Sequence, residues 1–234
     1  MFKFKQFSIQ DGKSAMKIGT DGILLGCWVD ISKANNILDV GTGTGVIAIM
    51  CAQKNHSSQI IAIEKSKLAS EDAQANVSNS PWYDRIKVEN GDFKQYLNTN
   101  KLDHIISNPP FFESSLKAKD LSRNQARHTD SLHYTDIFKF ARINLNKDGK
   151  ISMILPVENA QEAVRVCEDY NLYASRICEV NPVPQKQPHR WLIELSNEKP
   201  KEIENTFLTI ENGITRHEYT DQYIQLGKEF YLYF

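Results

Sequence analysis

The residues Asn108-Pro109-Pro110-Phe111 follow a short apolar run and close it with groups that cannot continue a strand. A plain turn needs one proline or glycine. This stretch adds a side-chain carbonyl, two locked φ angles and an aromatic ring. Such a set suits a flat amide-like or aryl amine, whose nitrogen is a poor nucleophile because its lone pair is delocalised. Two acceptors placed for its two N–H groups would help. The Asn108 side-chain carbonyl and the Pro109 backbone carbonyl can supply them, the prolines fixing the direction of the latter, while Phe111 stacks on the flat substrate. As positive charge moves onto the nitrogen, both dipoles bind the transition state better than the ground state. Taken alone, the tetrad also reads as a strand-ending turn with buried aromatics.

A second group lies upstream. "LDVGTGTG" (38–45) places glycines at 41, 43 and 45 after a buried strand, where they allow a sharp turn and close approach of a ligand. Glu64 ends the next strand about twenty residues on, where a carboxylate can accept both hydroxyls of a ribose. The ligand is a dinucleotide or S-adenosylmethionine. Asp39, inside the motif, would suit an amino acid's ammonium, and GxGxG lacks the GxGxxG pyrophosphate fingerprint; both favour the latter. In "NGDF" (90–93), Asp92 can accept from an adenine amino group while Phe93 packs on the ring.

The elements that must position these residues alternate. "FKFKQFSIQ" (2–10) has period two and precedes Asp11-Gly12, which predicts a strand and hairpin; 20–29 predicts a short buried helix. From residue 36 the pattern is strand, glycine loop, helix, strand (59–64), amphipathic helix, strand (85–93) and strand (102–107). A helix over 135–146, a strand over 150–156, a helix over 158–170 and two β-rich runs within 172–196 follow. "TFLTI" and "TDQYIQLGKEF" add a strand and a helix packed on the core. This alternation argues for an α/β fold with a mostly parallel sheet and helices on both faces. The expected division is an N-terminal hairpin and helix extension, 1–34, and one catalytic domain, 35–234.

With 41% hydrophobic and 24% charged residues and a formal net charge of −1, the chain has no global attraction to nucleic acid or membrane; a nucleic-acid partner would need a local basic surface. The four cysteines, Cys27, Cys51, Cys167 and Cys178, show neither metal-ligand nor disulfide spacing, so no metal is expected. The start is not a signal peptide and no apolar run spans a bilayer, which predicts a cytoplasmic protein with no membrane partner; a monomer is expected, though no residue pattern decides between monomer and dimer.

"LDVGTGTG", Glu64, "NGDF" and "NPPF", in that order, resemble the Rossmann-like, class I S-adenosylmethionine-dependent methyltransferases. The resemblance implies a seven-stranded sheet whose last strand runs antiparallel, and S-adenosyl-L-methionine as cofactor. In that family the tetrad marks nitrogen methylation of adenine N6, guanine N2 or a glutamine side-chain amide. Release-factor glutamine methyltransferases carry a helical domain before the core, and DNA adenine enzymes a sizeable target-recognition region; neither is found here. A structured RNA needs less added protein. The basic stretches around Lys3 and Lys5, around Arg127 and His128, and around Lys186 and Arg190 offer local phosphate contacts. "FKFKQFSI", "MKIGTDGILLGCW", "NPPFF", "ARHTDSL" and "PVPQKQPHRWLIEL" together are similar to the bacterial tRNA1(Val) adenine-N6 methyltransferases. That similarity implies methylation of the adenine immediately 3′ of the anticodon in a valine tRNA, the base being swung into the tetrad. It also brings Thr20 and Asp21 near the cofactor. Alternatives are N2-guanine methylation of ribosomal RNA and a non-catalytic RNA-binding protein on the same fold.

Overall fold

The computed structural model describes residues 1–13, 17–110, 132–215 and 217–234. Their elements in chain order are β1 (Phe2–Lys3), β2 (Ser8–Ile9), α1 (Thr20–Trp28), β3 (Asn36–Val40), α2 (Val46–Lys54), β4 (Gln59–Glu64), α3 (Lys67–Ser78) and β5 (Ile86–Asn90). Then come β6 (Leu102–Ser107), α4 (Tyr134–Asn144), β7 (Leu145–Pro156), α5 (Val157–Val166), β8 (Tyr173–Asn181), β9 (Arg190–Ser196), β10 (Glu204–Thr209) and α6 (Asp221–Gly227).

The main sheet has the order β10-β8-β9-β7-β6-β3-β4-β5. β9 runs antiparallel to β7 and β8, and every other pairing in it is parallel. Strand order reverses between β3 and β6, so a crevice opens where their carboxyl ends diverge towards different neighbours. The sheet has eight strands where seven were expected. The addition is β10, which continues the sheet beyond β8 in register from Glu204 opposite Arg176 to Thr209 opposite Asn181. Its threonines and Phe207 favour extended backbone, and Leu208 turns inward to the core.

Alternation along the strands divides the core between the two faces. On β3, Ile37 joins α1 and α2 on one side; Leu38 and Val40 join α4 and α5 on the other. β6 does the same with Ile106 and Ile105.

The N-terminal hairpin forms, but it turns over residues 4–7, where the Phe4 amide donates to the Phe7 carbonyl, and not at Asp11-Gly12. The two rings stack at 4.4 Å, and Phe7 meets the edge of Trp82. Burying these aromatics outweighs the local turn preference of Asp-Gly. The chain then crosses α3. Asn76, 2% exposed, accepts from the Gln10 amide and donates to the carbonyls of Gln10 and Thr44, joining this crossing to the glycine loop.

Candidate active site

Gly41, Gly43 and Gly45 all have positive φ (72°, 58° and 82°), which side chains disfavour. The loop they form folds back on β4: the amides of Gly41 and Thr42 both donate to the Ile63 carbonyl at 2.9 Å. At Gly45 a Cβ would only touch the Ala73 backbone, at 3.4 Å where α2 meets α3, so the requirement there is the positive φ. Gly45 thus seats the helix and is not on the cavity wall, whereas Gly41 and Gly43 are.

Glu64 ends β4 with both carboxylate oxygens engaged. The Gly43 amide donates to Oε2 at 2.9 Å and the Ser66 amide to Oε1 at 2.8 Å. At the end of β5, the Asn90 side chain and the Gly91 amide both donate to the Glu64 carbonyl. Asp92 accepts from the Lys94 amide and pairs with Lys65 at 3.0 Å; both hold its carboxyl below the usual carboxylate range. Phe93 is buried against Phe140, ring centres 4.9 Å apart. Glu64, Asp92 and Phe93 all face one cavity of about 370 Å³, a size suited to a small ligand.

Asp39 is not on that wall. It is 1% exposed behind the loop, where the Thr42 hydroxyl donates to its Oδ2 at 2.5 Å and its Oδ1 has no hydrogen-bond partner among the described residues. Burial pushes its carboxyl up to about 7, against the opposing pull of Thr42 and the Ala48 amide. In this geometry it supports the loop from below and does not face a ligand's ammonium.

The opposite wall is the end of β6. Ser107 Oγ donates to the Val40 carbonyl at 2.8 Å and ties β6 to β3 at the point of reversal. The next residue, Asn108, lines the cavity, and its buried Oδ1 has no partner among the described residues. A buried acceptor left unpaired costs about 1–3 kcal/mol, which a binding site tolerates when a ligand's N–H is to fill it. Pro109 is buried and Pro110 stands exposed at the cavity lip. Phe111, Arg127 and His128 lie outside the described residues. A carboxylate beside a glycine loop and an amide acceptor across the same cavity provide for a nucleoside-like cofactor and an N–H-bearing substrate.

Residues 13–170 match the family model described as the methyltransferase small domain. The chain belongs to this family. Among its relatives, the tRNA1(Val) (adenine(37)-N6)-methyltransferase of Bacteroides thetaiotaomicron is 40% identical over 99% of this chain and 97% of its own. The protein of the same name from Trichodesmium erythraeum is 44% identical over the same shares. Among solved structures, a predicted O-methyltransferase from Agrobacterium tumefaciens superposes with a TM-score of 0.67 at 20% identity, covering 90% of this chain and 96% of its own. An O-methyltransferase from Brevibacillus brevis in complex with S-adenosyl-L-homocysteine gives 0.54 at 15% identity, covering 77% and 72%. At these identities the structures establish the class I methyltransferase fold.

Part of this methyltransferase's cavity wall comes from outside the glycine loop, "NGDF" and "NPPF". Lys17, Ile18 and Gly19, and then Gly22 in α1, close it on the Asn108 side, and Leu132 stands near Gly41. Both groups fall within stretches that carried the resemblance, "MKIGTDGILLGCW" and "ARHTDSL", although no role at the cavity had been expected of these residues. The basic residues named as RNA contacts divide. Lys3 and Lys186 are exposed. Lys5 donates to the carbonyls of Lys228 (2.5 Å) and Phe234 (3.1 Å), and Arg190 pairs with Asp21. No helix among the described residues is long and apolar enough to cross a membrane, and none of their His, Cys, Asp and Glu side chains cluster as a metal site.

Proposed function

We propose that this protein transfers a methyl group from S-adenosyl-L-methionine to the N6 amine of an adenine in tRNA, adenine 37 of tRNA1(Val). The observation that carries the reading is Asn108, which lines the same cavity as Glu64 and Asp92 and whose buried Oδ1 has no partner among the described residues. Relatives bearing that activity in their name, matched over nearly their whole length, support the substrate.

The cavity fits the cofactor by its own chemistry. The positive-φ glycines remove side chains where a ligand must approach the backbone. Glu64 keeps lone pairs beyond the two given to Gly43 and Ser66, enough for ribose hydroxyls. Asp92 offers an acceptor and Phe93 an apolar face to a base. When bound, the cofactor supplies an electrophilic sulfonium methyl.

The chain's own part is to hold the amine. Asn108 Oδ1 accepts one N–H of the exocyclic amine, and the Pro109 carbonyl the other. Both dipoles gain strength as the nitrogen becomes positive, so they stabilise the transition state more than the ground state. No strong base is required, because the charged product nitrogen is acidic enough to lose its proton to water. Most of the acceleration comes from holding the two reactants in line.

The test is incubation with total unmodified tRNA and labelled S-adenosylmethionine, followed by mapping of the labelled nucleoside. The expected product is N6-methyladenosine at one position of one tRNA. Label in N2-methylguanosine, or in protein alone, overturns the assignment.

A further inference from the structure

We propose that the ion pair between Asp21 and Arg190 is a positioning device for the Asn108 amide; the proposal rests on the adenine-N6 reading above and deepens it. Asp21 lies in the first turn of α1, between Gly19 and Gly22, which both face the cavity. Arg190 opens β9 opposite Pro156, the last residue of β7, and β7 is the neighbour of the strand that delivers Asn108. Arg190 Nε donates to Asp21 Oδ2 at 2.8 Å and its Nη1 to the His189 carbonyl at 2.9 Å. The two side chains are only 25% and 21% exposed, so solvent screens their attraction less than that of an open surface pair.

The pair matters because it acts at the uncapped start of a helix whose later residues, Gly22 to Cys27, are held by burial in the core. The residue before α1 is Gly19, and no side chain caps the helix there. The lateral position of the first turn is therefore left to packing and to Arg190. Gly22, one residue after Asp21, faces Asn108: a Cβ placed on it would lie 3.9 Å from Asn108 Nδ2. The first turn of α1 thus stands on the nitrogen side of the amide, with room for little more than a methyl group between them. Among the described residues, the Asn108 oxygen has no hydrogen-bond partner that would orient the group instead. A terminal amide torsion is broad and roughly two-fold, so a wall on one side is what separates nitrogen from oxygen. With the wall in place the oxygen is presented as acceptor; with it displaced, the amide turns freely.

Arg190 is accordingly a positioning residue acting through Asp21. Its charge is balanced inside the protein, which sets it apart from the exposed Lys186 on the same β8–β9 connection. It also lies beyond the matched residues 13–170, so the pair joins the family domain to the strands that follow it.

The test uses Asp21→Asn, which is isosteric, Arg190→Met, which keeps the aliphatic stem, and the double variant, each checked for an unchanged melting profile. Each single variant is expected to lower kcat on tRNA about tenfold or more, the scale of a small misplacement of a reacting group. Affinities for tRNA and cofactor, and the salt dependence of tRNA binding, should stay at wild-type values. The double variant should fall no further than the worse single one, because both remove the same contact. An intact kcat in both single variants, multiplicative losses, or a salt slope reduced by about one in Arg190→Met, the mark of a phosphate contact, overturns the proposal. A second readout needs no turnover. The Asn108 side-chain amide resonances in an ¹⁵N spectrum should be sharp in the wild type and shifted or broadened in both single variants; unchanged resonances also overturn it. If the wild type does not methylate adenine, the substrate reading fails separately, and these resonances still decide the role of the pair.

Discussion

The Gly43 amide meets Glu64 Oε2 at 2.9 Å, across the gap between the glycine loop and the end of β4. The other oxygen of the same carboxylate holds the Ser66 amide, where Ser66 in turn caps α3. One side chain therefore fixes the loop, starts the next helix and faces the cavity.

Replacing Glu64 by alanine removes the ribose acceptor and loosens the loop together. Hydrogen bonds to a charged group contribute about 1.5–3 kcal/mol each, so S-adenosylmethionine affinity measured by calorimetry should fall at least about tenfold. Turnover at saturating cofactor should change far less. An unchanged affinity would remove Glu64 from the site.

Asn108→Ala is expected to act in the opposite sense. Loss of an acceptor that works mainly in the transition state should lower kcat by about 10²–10³, with cofactor affinity nearly unaltered. Because the substitution also deletes an unsatisfied buried oxygen, the melting temperature should hold or rise slightly. Equal losses of turnover and cofactor affinity, or a melting temperature several degrees lower, would contradict the role given to this residue.

The buried carboxyl of Asp39 makes a prediction about pH. Its folded value is raised to about 7 from an ordinary 3.8, so between those limits the native state binds more protons than the unfolded chain. Stability from this group is therefore complete below about pH 4, declines as pH rises, and is lost above about 7. Asp39→Asn abolishes the titration while keeping the shape. Relative to that variant, wild-type stability in urea should decline steadily from pH 4 to pH 7 and then level off; a constant difference across the range would show that the carboxyl is ionised throughout.

Lys3 and Lys5, two residues apart on the hairpin, should respond differently to charge reversal. Lys3 is exposed, so Lys3→Glu should weaken tRNA binding, reduce its salt slope by about one or more and leave the melting temperature alone. Lys5 holds the carbonyls of Lys228 and Phe234, so Lys5→Glu should destabilise the protein first. Identical effects of the two reversals on binding and melting would refute this division.

What could be read from the sequence was what is local. β4 over 59–64 and β6 over 102–107 were legible as short apolar runs, and the glycine loop as the turn between strand and helix. What could not be read depends on partners far along the chain. The hairpin turns where Phe4 and Phe7 can bury themselves near Trp82, which no window around residue 10 contains. The pairing of β10 needs β8 as its template. β7 begins at Leu145, before the predicted residue 150, because Leu145 finds Leu102 across an irregular register. In the site, the three carboxylates and Asn108 were evident from motif spacing, yet spacing alone could not show Asp39 turned beneath the loop. Charge had the same limit: Arg190 reads as a phosphate contact until Asp21, 169 residues away in sequence, is seen to neutralise it.

The Asn76 amide has a consequence for how well the cleft holds its shape. By gripping both the Gln10 backbone and the Thr44 carbonyl, it ties the N-terminal crossing to the glycine loop. Removing it would strip three backbone groups of that partner at once, so a change on the far side of the third helix would be felt as slack in the loop.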